Sequence, residues 1–403
     1  MEMVSAELRR LAADNSAIRA MFEEGNNLAQ KFGRENVYDF SLGNPNFAPP
    51  ESVKKAIIDV LDNEDSMFVH GYMSNTGYAD VRKAVADDLN ARFGTSFGVD
   101  NIIMTVGAAG GLNVMLKTLL DPGDEVIAFS PFFVEYGNYV RNFCGELRIV
   151  PTTPGTFQID PEALEAAVTP RTKAVIINNP HNPTGVIYSE ETLAAVSAAL
   201  ERSEARIGHP VYLLSDEPYR ELAYDGKKVP WLTKIYRNTI VSYSWSKSLS
   251  LPGERIGYLA IPSEIDDFEE VSTAAGISNR VLGFVNAPSL MQRVVMRCLG
   301  QSTDIEAYGR NRTLLYTELS RLGFECVRPD GAFYMWVKSP EPDEKAFVAK
   351  AKELNILFVP GSSFAWPGYV RMAYCVSPDM IKRSLPAFEK LAARYGLEKK
   401  ETV

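Results

Sequence analysis

Three things are scarce in this sequence: long apolar runs, clustered cysteine or histidine, and patches of positive charge. No apolar stretch reaches the roughly 20 residues that a bilayer-spanning helix needs, so a membrane span is not expected. Cys144, Cys298, Cys326 and Cys375 are scattered without a C-x-x-C pair, and the three histidines lie far apart. That spacing supports neither a zinc site nor a disulfide framework. Lys and Arg number 42 against 51 Asp and Glu, a formal net charge of -9 with no basic cluster. A nucleic-acid surface is excluded on that ground, and small molecules are the expected partners. The first 25 residues mix acids and bases at helical period and lack the apolar core of a signal peptide, so a cytoplasmic protein is expected.

What is present fits a two-lobed globular chain of 403 residues, 46% hydrophobic and 23% charged, with no internal repeat. After the N-terminal helix and a short strand at 37–42, SLGNPNFAPP reads as a hinge, and helical patterns cover 51–62 and 78–93. From position 101 the runs IIMTV, EVIAFS, LRIVP, KAVIINN, VYLLSDE, TIVSYSWS and IGYLAIP alternate mostly with helix-compatible segments. That alternation predicts an α/β fold, a largely parallel sheet covered on both faces. The expected division is 1–49 as an arm and part of a small domain, 50–285 as the large domain, 286–322 as connecting helices and 323–403 as a smaller α+β domain. FYMWV, ILFVP and VRMAYCV are the strands expected in the last of these.

In such sheets ligands sit at the carboxyl ends of the strands, and unusual residues fall there repeatedly. IIMTV leads into the glycine-rich Gly107-Ala108-Ala109-Gly110-Gly111; VIAFS leads into Pro131-Phe132-Phe133. KAVIINN leads into NPHNPTG, YLLS into Asp216-Glu217-Pro218-Tyr219, and TIVSYSWS into Lys247. Each has a plain reading: a tight turn, core aromatics, a proline-fixed loop, a helix cap, a solvated lysine. Their convergence on one sheet edge favours a ligand site. A dinucleotide would require an acid at the end of the following strand and G-x-G-x-x-G spacing, and FSPFF and GAAGG offer neither. A phosphate site, a stacking aromatic, an aspartate, a tyrosine and a lysine remain, the set that pyridoxal 5′-phosphate uses.

With NPHNPTG, SDEPY and SWSKSLSLPGERIGY in place, the sequence resembles the fold-type I pyridoxal phosphate enzymes, specifically the class I/II aminotransferases related to aspartate aminotransferase. The resemblance runs from LGNP at Leu42 to YVRMAY at Tyr369. It implies that Lys247 forms the Schiff base and later moves the proton between substrate and cofactor, and that Asp216 keeps the ring nitrogen protonated. Asn182 and Tyr219 would bond the phenolic oxygen, and Phe133 would stack on the ring. Ser244, Arg255, Gly107, Ala108 and Ala109 would hold the phosphate. Arg371 would fork onto the substrate α-carboxylate, with Asn182 and the backbone of Gly43 beside it. Tyr72 would reach the phosphate of a neighbouring subunit in a homodimer with shared active sites.

Two departures limit what carries over. GAAGG has small residues where relatives often carry a hydroxyl or lysine, and Ala109 cannot hold a distal carboxylate. Arg280 lies in a region from which a neighbour could supply that cation, and a plain surface arginine is the other reading. The expected activity is transfer of an amino group from an L-amino acid (aspartate, aromatic or neutral) to a 2-oxo acid such as 2-oxoglutarate, by a ping-pong cycle. A C-S β-lyase or a decarboxylase would use the same lysine and aspartate. A non-catalytic relative, such as half of a transcription regulator, would need a DNA-binding segment, and only about 40 residues precede LGNP.

Overall fold

The computed structural model describes residues 3–13 and 17–399. The expected N-terminal helix falls on Ala6–Ala13 and Ala17–Phe32, and its positions 1, 2 and 14–16 lie outside the described residues. The strands in chain order are β1 (Tyr38–Asp39), β2 (Ile102–Thr105), β3 (Glu125–Ser130), β4 (Glu146–Pro151), β5 (Thr172–Asn178), β6 (Tyr212–Asp216), β7 (Thr239–Ser244), β8 (Gly257–Ala260), β9 (Cys326–Val327), β10 (Tyr334–Lys338), β11 (Ile356–Leu357), β12 (Val359–Pro360) and β13 (Tyr369–Ala373).

The large sheet has the order β2-β8-β7-β6-β5-β3-β4. β3 to β7 run parallel, and β8 is antiparallel to both its neighbours. This is the α/β architecture the alternating pattern predicts. β3, β6 and β7 are buried along their whole length, because helices cover both faces and continuous apolar runs face no water. Only the edge strand β4 is mostly exposed, and it carries Glu146 and Arg148 there. The strand order reverses between β3 and β5, which opens a crevice at the carboxyl edge.

Local chemistry explains where several helices begin. Ser189 and Ser377 accept from the backbone N-H groups of Thr192 and Met380, capping Glu190–Ile207 and Pro378–Arg394. GAAGG is the opening of the helix Gly107–Leu119 rather than a loop, since Gly107 makes the turn at φ +69 and helical geometry follows at once. Gly111 lets that helix lie close on β7: a Cβ there would come 2.5 Å from Ser242 Oγ.

The 286–322 segment divides between two cores. Helix Ser289–Arg297 buries Met291, Val294 and Val295 with Val53, Val60 and Leu89 of the large lobe. Helix Ile305–Arg321 buries Tyr308, Leu315 and Leu319 with Phe333, Phe358 and Phe388 of the small one. ILFVP is two strands in different sheets, because the chain passes at Phe358 from pairing with β1 to pairing with β13. Trp336, Val359 and Phe364 reach across into a core shared with Ile127, Val175 and Leu213 of the large sheet, so the small lobe is seated beside the crevice.

Candidate active site

Register levels the strand ends. Asn178 pairs with Asp216 and Asp216 with Ser242, while Gly257 is level with both Ser244 and Thr105. Side chains just beyond these positions therefore face one cavity of about 280 Å³, small for a ligand site of the usual roughly 300–1,000 Å³.

The strand TIVSYS stops at Ser244, and Trp245–Ser248 forms a single helical turn. Ser244 Oγ accepts from the Ser246 N-H at 3.1 Å and lies 2.6 Å from Ser246 Oγ, which fixes the turn that aims Lys247 inward. Lys247 Nζ donates to the Gly43 carbonyl at 2.9 Å and lies 5.2 Å from the centre of the Phe333 ring. Burial pushes its pKa down to about 8; the nearby Cys375 thiol works against this, and Arg371 and Arg255 add to it. A lysine so placed holds a neutral, nucleophilic fraction near neutral pH.

Asp216 is buried at the end of β6, and burial lifts its pKa to about 7 although Tyr136 donates to Oδ2 at 2.5 Å. A cation placed against Asp216 would restore its charge. Asn178 Nδ2 donates to the Asp216 carbonyl at 2.9 Å, and Asn178 Oδ1 accepts from the Asn182 N-H at 2.6 Å. This pairing ties the NPHNPTG turn to the aspartate.

Arg371 is 2% exposed and has no carboxylate partner among the described residues. Nη1 donates to Asn182 Oδ1 at 3.0 Å and Nη2 to the Ser41 carbonyl at 2.8 Å, while Nε has no partner. A buried guanidinium held only by neutral acceptors is suited to an incoming anion. Tyr334 lies against its face with Cζ 4.3 Å from the ring centre, and a Cβ at Gly43 would overlap the Tyr334 hydroxyl. The expected hinge thus runs through the site, with Leu42 and Gly43 on its wall.

At the other end, Arg255 follows the turn Pro252–Glu254 in the left-handed region at φ +50, rare for a side chain of this size. Its guanidinium lies beside Gly107, 3.3 Å from where a Cβ would be, and Nη1 donates to the Pro252 carbonyl at 2.9 Å. A positive side chain facing the first turn of a helix makes an anion cradle. The cavity thus offers an anion cradle, a carboxylate short of a cation, a buried amine and a guanidinium short of an anion. Pyridoxal 5′-phosphate with an amino acid fits that set in charge and order.

Of the expected residues, Gly43, Ala108, Ala109, Phe133, Asn182, Asp216, Tyr219, Ser244, Lys247, Arg255 and Arg371 line this one cavity, and Gly107 backs Arg255. Tyr72 is not brought there; it is 92% exposed on the surface. Arg280 is exposed in the last turn of helix Phe268–Val281. Sequence reasoning missed Tyr136, Asn178 and Tyr334. Tyr136 stands one helical turn after Phe133, a spacing that signals a shared face, whereas nothing local marks Tyr334 in GAFYMWV.

Known proteins resemble this chain along most of its length. Residues 35–388 match the family Aminotransferase class I and II. The aspartate/prephenate aminotransferase of Thermus thermophilus is 33% identical over 359 residues, 88% of this chain and 90% of that protein. A solved amino transferase from Eubacterium rectale superposes with a TM-score of 0.96 at 47% identity, covering 98% of this chain and 100% of that one. The aspartate aminotransferase of Thermus thermophilus with maleate gives 0.84 at 30% identity, covering 97% and 100%. The match takes in both lobes and every strand end that lines the cavity, so this chain belongs to the class I and II aminotransferases, a pyridoxal phosphate-using family of transaminases.

Proposed function

We propose that this aminotransferase carries pyridoxal 5′-phosphate on Lys247 and moves the amino group of an L-amino acid to a 2-oxo acid, 2-oxoglutarate being the expected acceptor, in two half-reactions at one site. The observation that carries the reading is Lys247 with its pKa near 8, set in one cavity between Asp216 and Arg371. When bound, the coenzyme supplies a carbonyl for the donor's amine and a protonated ring that withdraws the electron pair left on the substrate α-carbon.

The chain's own residues do the rest. Arg255 and the N-H groups at Gly107, Ala108 and Ala109 would bind the phosphate, with Ser244 beside them, and Phe133 would cover the ring. Asp216, held by Tyr136, would pair with the ring nitrogen as a carboxylate and keep a proton there. Asn182 and Tyr219 would donate to the phenolic oxygen. Arg371 grips the α-carboxylate, with Asn182 and Gly43 closing over it, and so orients the α-hydrogen toward Lys247. The Lys247 amine, once free, would take that proton from the α-carbon and act as the acid and base of the transfer.

The donor belongs among aspartate, aromatic and neutral amino acids. Lys247, Arg255 and Arg371 are the cations that line the cavity, and each is already engaged, so a distal carboxylate needs a cation from elsewhere. Arg280 of a second copy is the candidate. A homodimer in which Tyr72 reaches a partner's phosphate is supported by an apolar surface at Met67, Phe68, Tyr72, Ile277 and Val281, all exposed. Segment 73–76 packs on helix Phe268–Val281 through Asn279 Nδ2 donating to the Asn75 carbonyl at 2.7 Å, which joins the two parts of that surface. The reading includes a large domain over 50–285, arm and small domain over 1–49 and 323–403, and a cytoplasmic location.

The test is the visible spectrum of purified protein before and after single amino acids are added. A yellow band that bleaches with preferred donors and returns with 2-oxoglutarate, without release of pyruvate or thiol, is expected. A colourless protein that takes up no coenzyme would sink the reading.

A further inference from the structure

Tyr334 joins the two halves of the site. Its hydroxyl oxygen lies 3.0 Å from that of Tyr219, the one hydrogen-bond partner of that hydroxyl among the described residues. Its ring lies under the Arg371 guanidinium. Both tyrosines are buried, and burial lifts both phenols above their usual range, so each keeps its proton. Of two hydroxyls at this distance one donates and the other accepts.

The direction follows from proton counting. If Tyr219 donates to the coenzyme's phenolic oxygen, its single proton is spent there, and its oxygen can pair with Tyr334 only by accepting. Tyr334 then donates, and the Arg371 cation over its ring makes it a stronger donor. Consecutive hydrogen bonds polarise one another, so the second strengthens the first. We propose that Tyr334 is a positioning residue for transamination: by donating to Tyr219 it fixes the Tyr219 proton on the phenolic oxygen, and it links the carboxylate subsite at Arg371 to the coenzyme ring. This rests on the function proposed above.

A donor on the phenolic oxygen draws off charge that would hold the proton of the neighbouring lysine-coenzyme nitrogen, so losing the donor raises that nitrogen's pKa. Tyr334→Phe keeps the ring and its packing on Arg371 and removes only the hydroxyl. Holoenzyme of the wild type, Tyr334→Phe, Tyr219→Phe and the double variant is titrated with pH while the visible band of the lysine-bound coenzyme is followed. Tyr334→Phe is expected to move the midpoint up by about half a unit, less than Tyr219→Phe does. The double variant should match Tyr219→Phe alone, because without Tyr219 no proton remains to orient. An unmoved midpoint in Tyr334→Phe, or two shifts that simply add, overturns the relay and leaves the coenzyme assignment standing. A wild type without a visible band overturns that assignment and the relay together.

Discussion

Two buried arginines, Arg220 and Arg371, sit in the same molecule under opposite arrangements. Arg220 is 5% exposed and donates from Nε to Glu217 Oε2 at 2.6 Å and from Nη1 to Tyr258 Oη at 2.9 Å. Its guanidinium lies 4.6 Å from the Trp231 ring and 4.5 Å from the Tyr243 ring. Arg371 lies between Tyr334 and Phe364 in a similar way, yet only neutral oxygens accept from it. Each guanidinium leaves one nitrogen unpartnered, so hydrogen-bond count does not separate them. The carboxylate does. Where a counter-ion is built in, the cation serves the fold; where it is left out, the fold keeps a charge for something that arrives later.

That comparison can be broken by measurement. Arg220→Ala strands the fully buried Glu217 carboxylate, and a loss of about 3–5 kcal/mol in denaturant unfolding is expected. A variant as stable as wild type would show the pair to be dispensable. Asp216 is the anionic counterpart of Arg371, a buried carboxylate with no salt-bridge partner among the described residues. Its folded pKa near 7 lies above the unfolded value, so in the coenzyme-free chain stability falls as pH rises from about 4 to about 7. Asp216→Asn should therefore gain on the wild type by about 1.4 kcal/mol per pH unit across that window and no further above it. A gap between the two that does not change with pH would contradict the buried, unpaired reading. Arg371→Lys should lower kcat/KM about a hundredfold, mostly through KM, because one ammonium cannot fork onto a carboxylate. Its unfolding midpoint should stay at or above wild type, since no carboxylate loses a partner. A large loss of stability would put Arg371 in the same class as Arg220.

The sheet was legible because its buried strands are largely apolar runs that finish in polar residues, as KAVIINN does at Asn178 and VYLLSDE at Asp216. The candidate site was legible for a related reason: Asp216 closes β6, and Asn182 and Lys247 follow within four residues of the ends of β5 and β7, so motif and position coincide. What escaped depends on contacts between distant segments. Tyr136 meets Asp216 across 80 positions and Tyr219 meets Tyr334 across 115, and no local pattern records either. Chain direction at ILFVP escaped too, because five apolar residues read as one strand until their two partners, β1 and β13, are known. The division of 286–322 between lobes depends in the same way on which core each helix face meets.

The buried Lys247 amine, in the turn after β7, is the attachment point proposed for the coenzyme. Borohydride reduction of the holoenzyme, followed by digestion and peptide mass mapping, fixes the coenzyme to whichever lysine holds it. A single modified peptide carrying the reduced adduct on Lys247 is expected, and no adduct in Lys247→Ala. An adduct on another lysine, or none in the wild type, would contradict it.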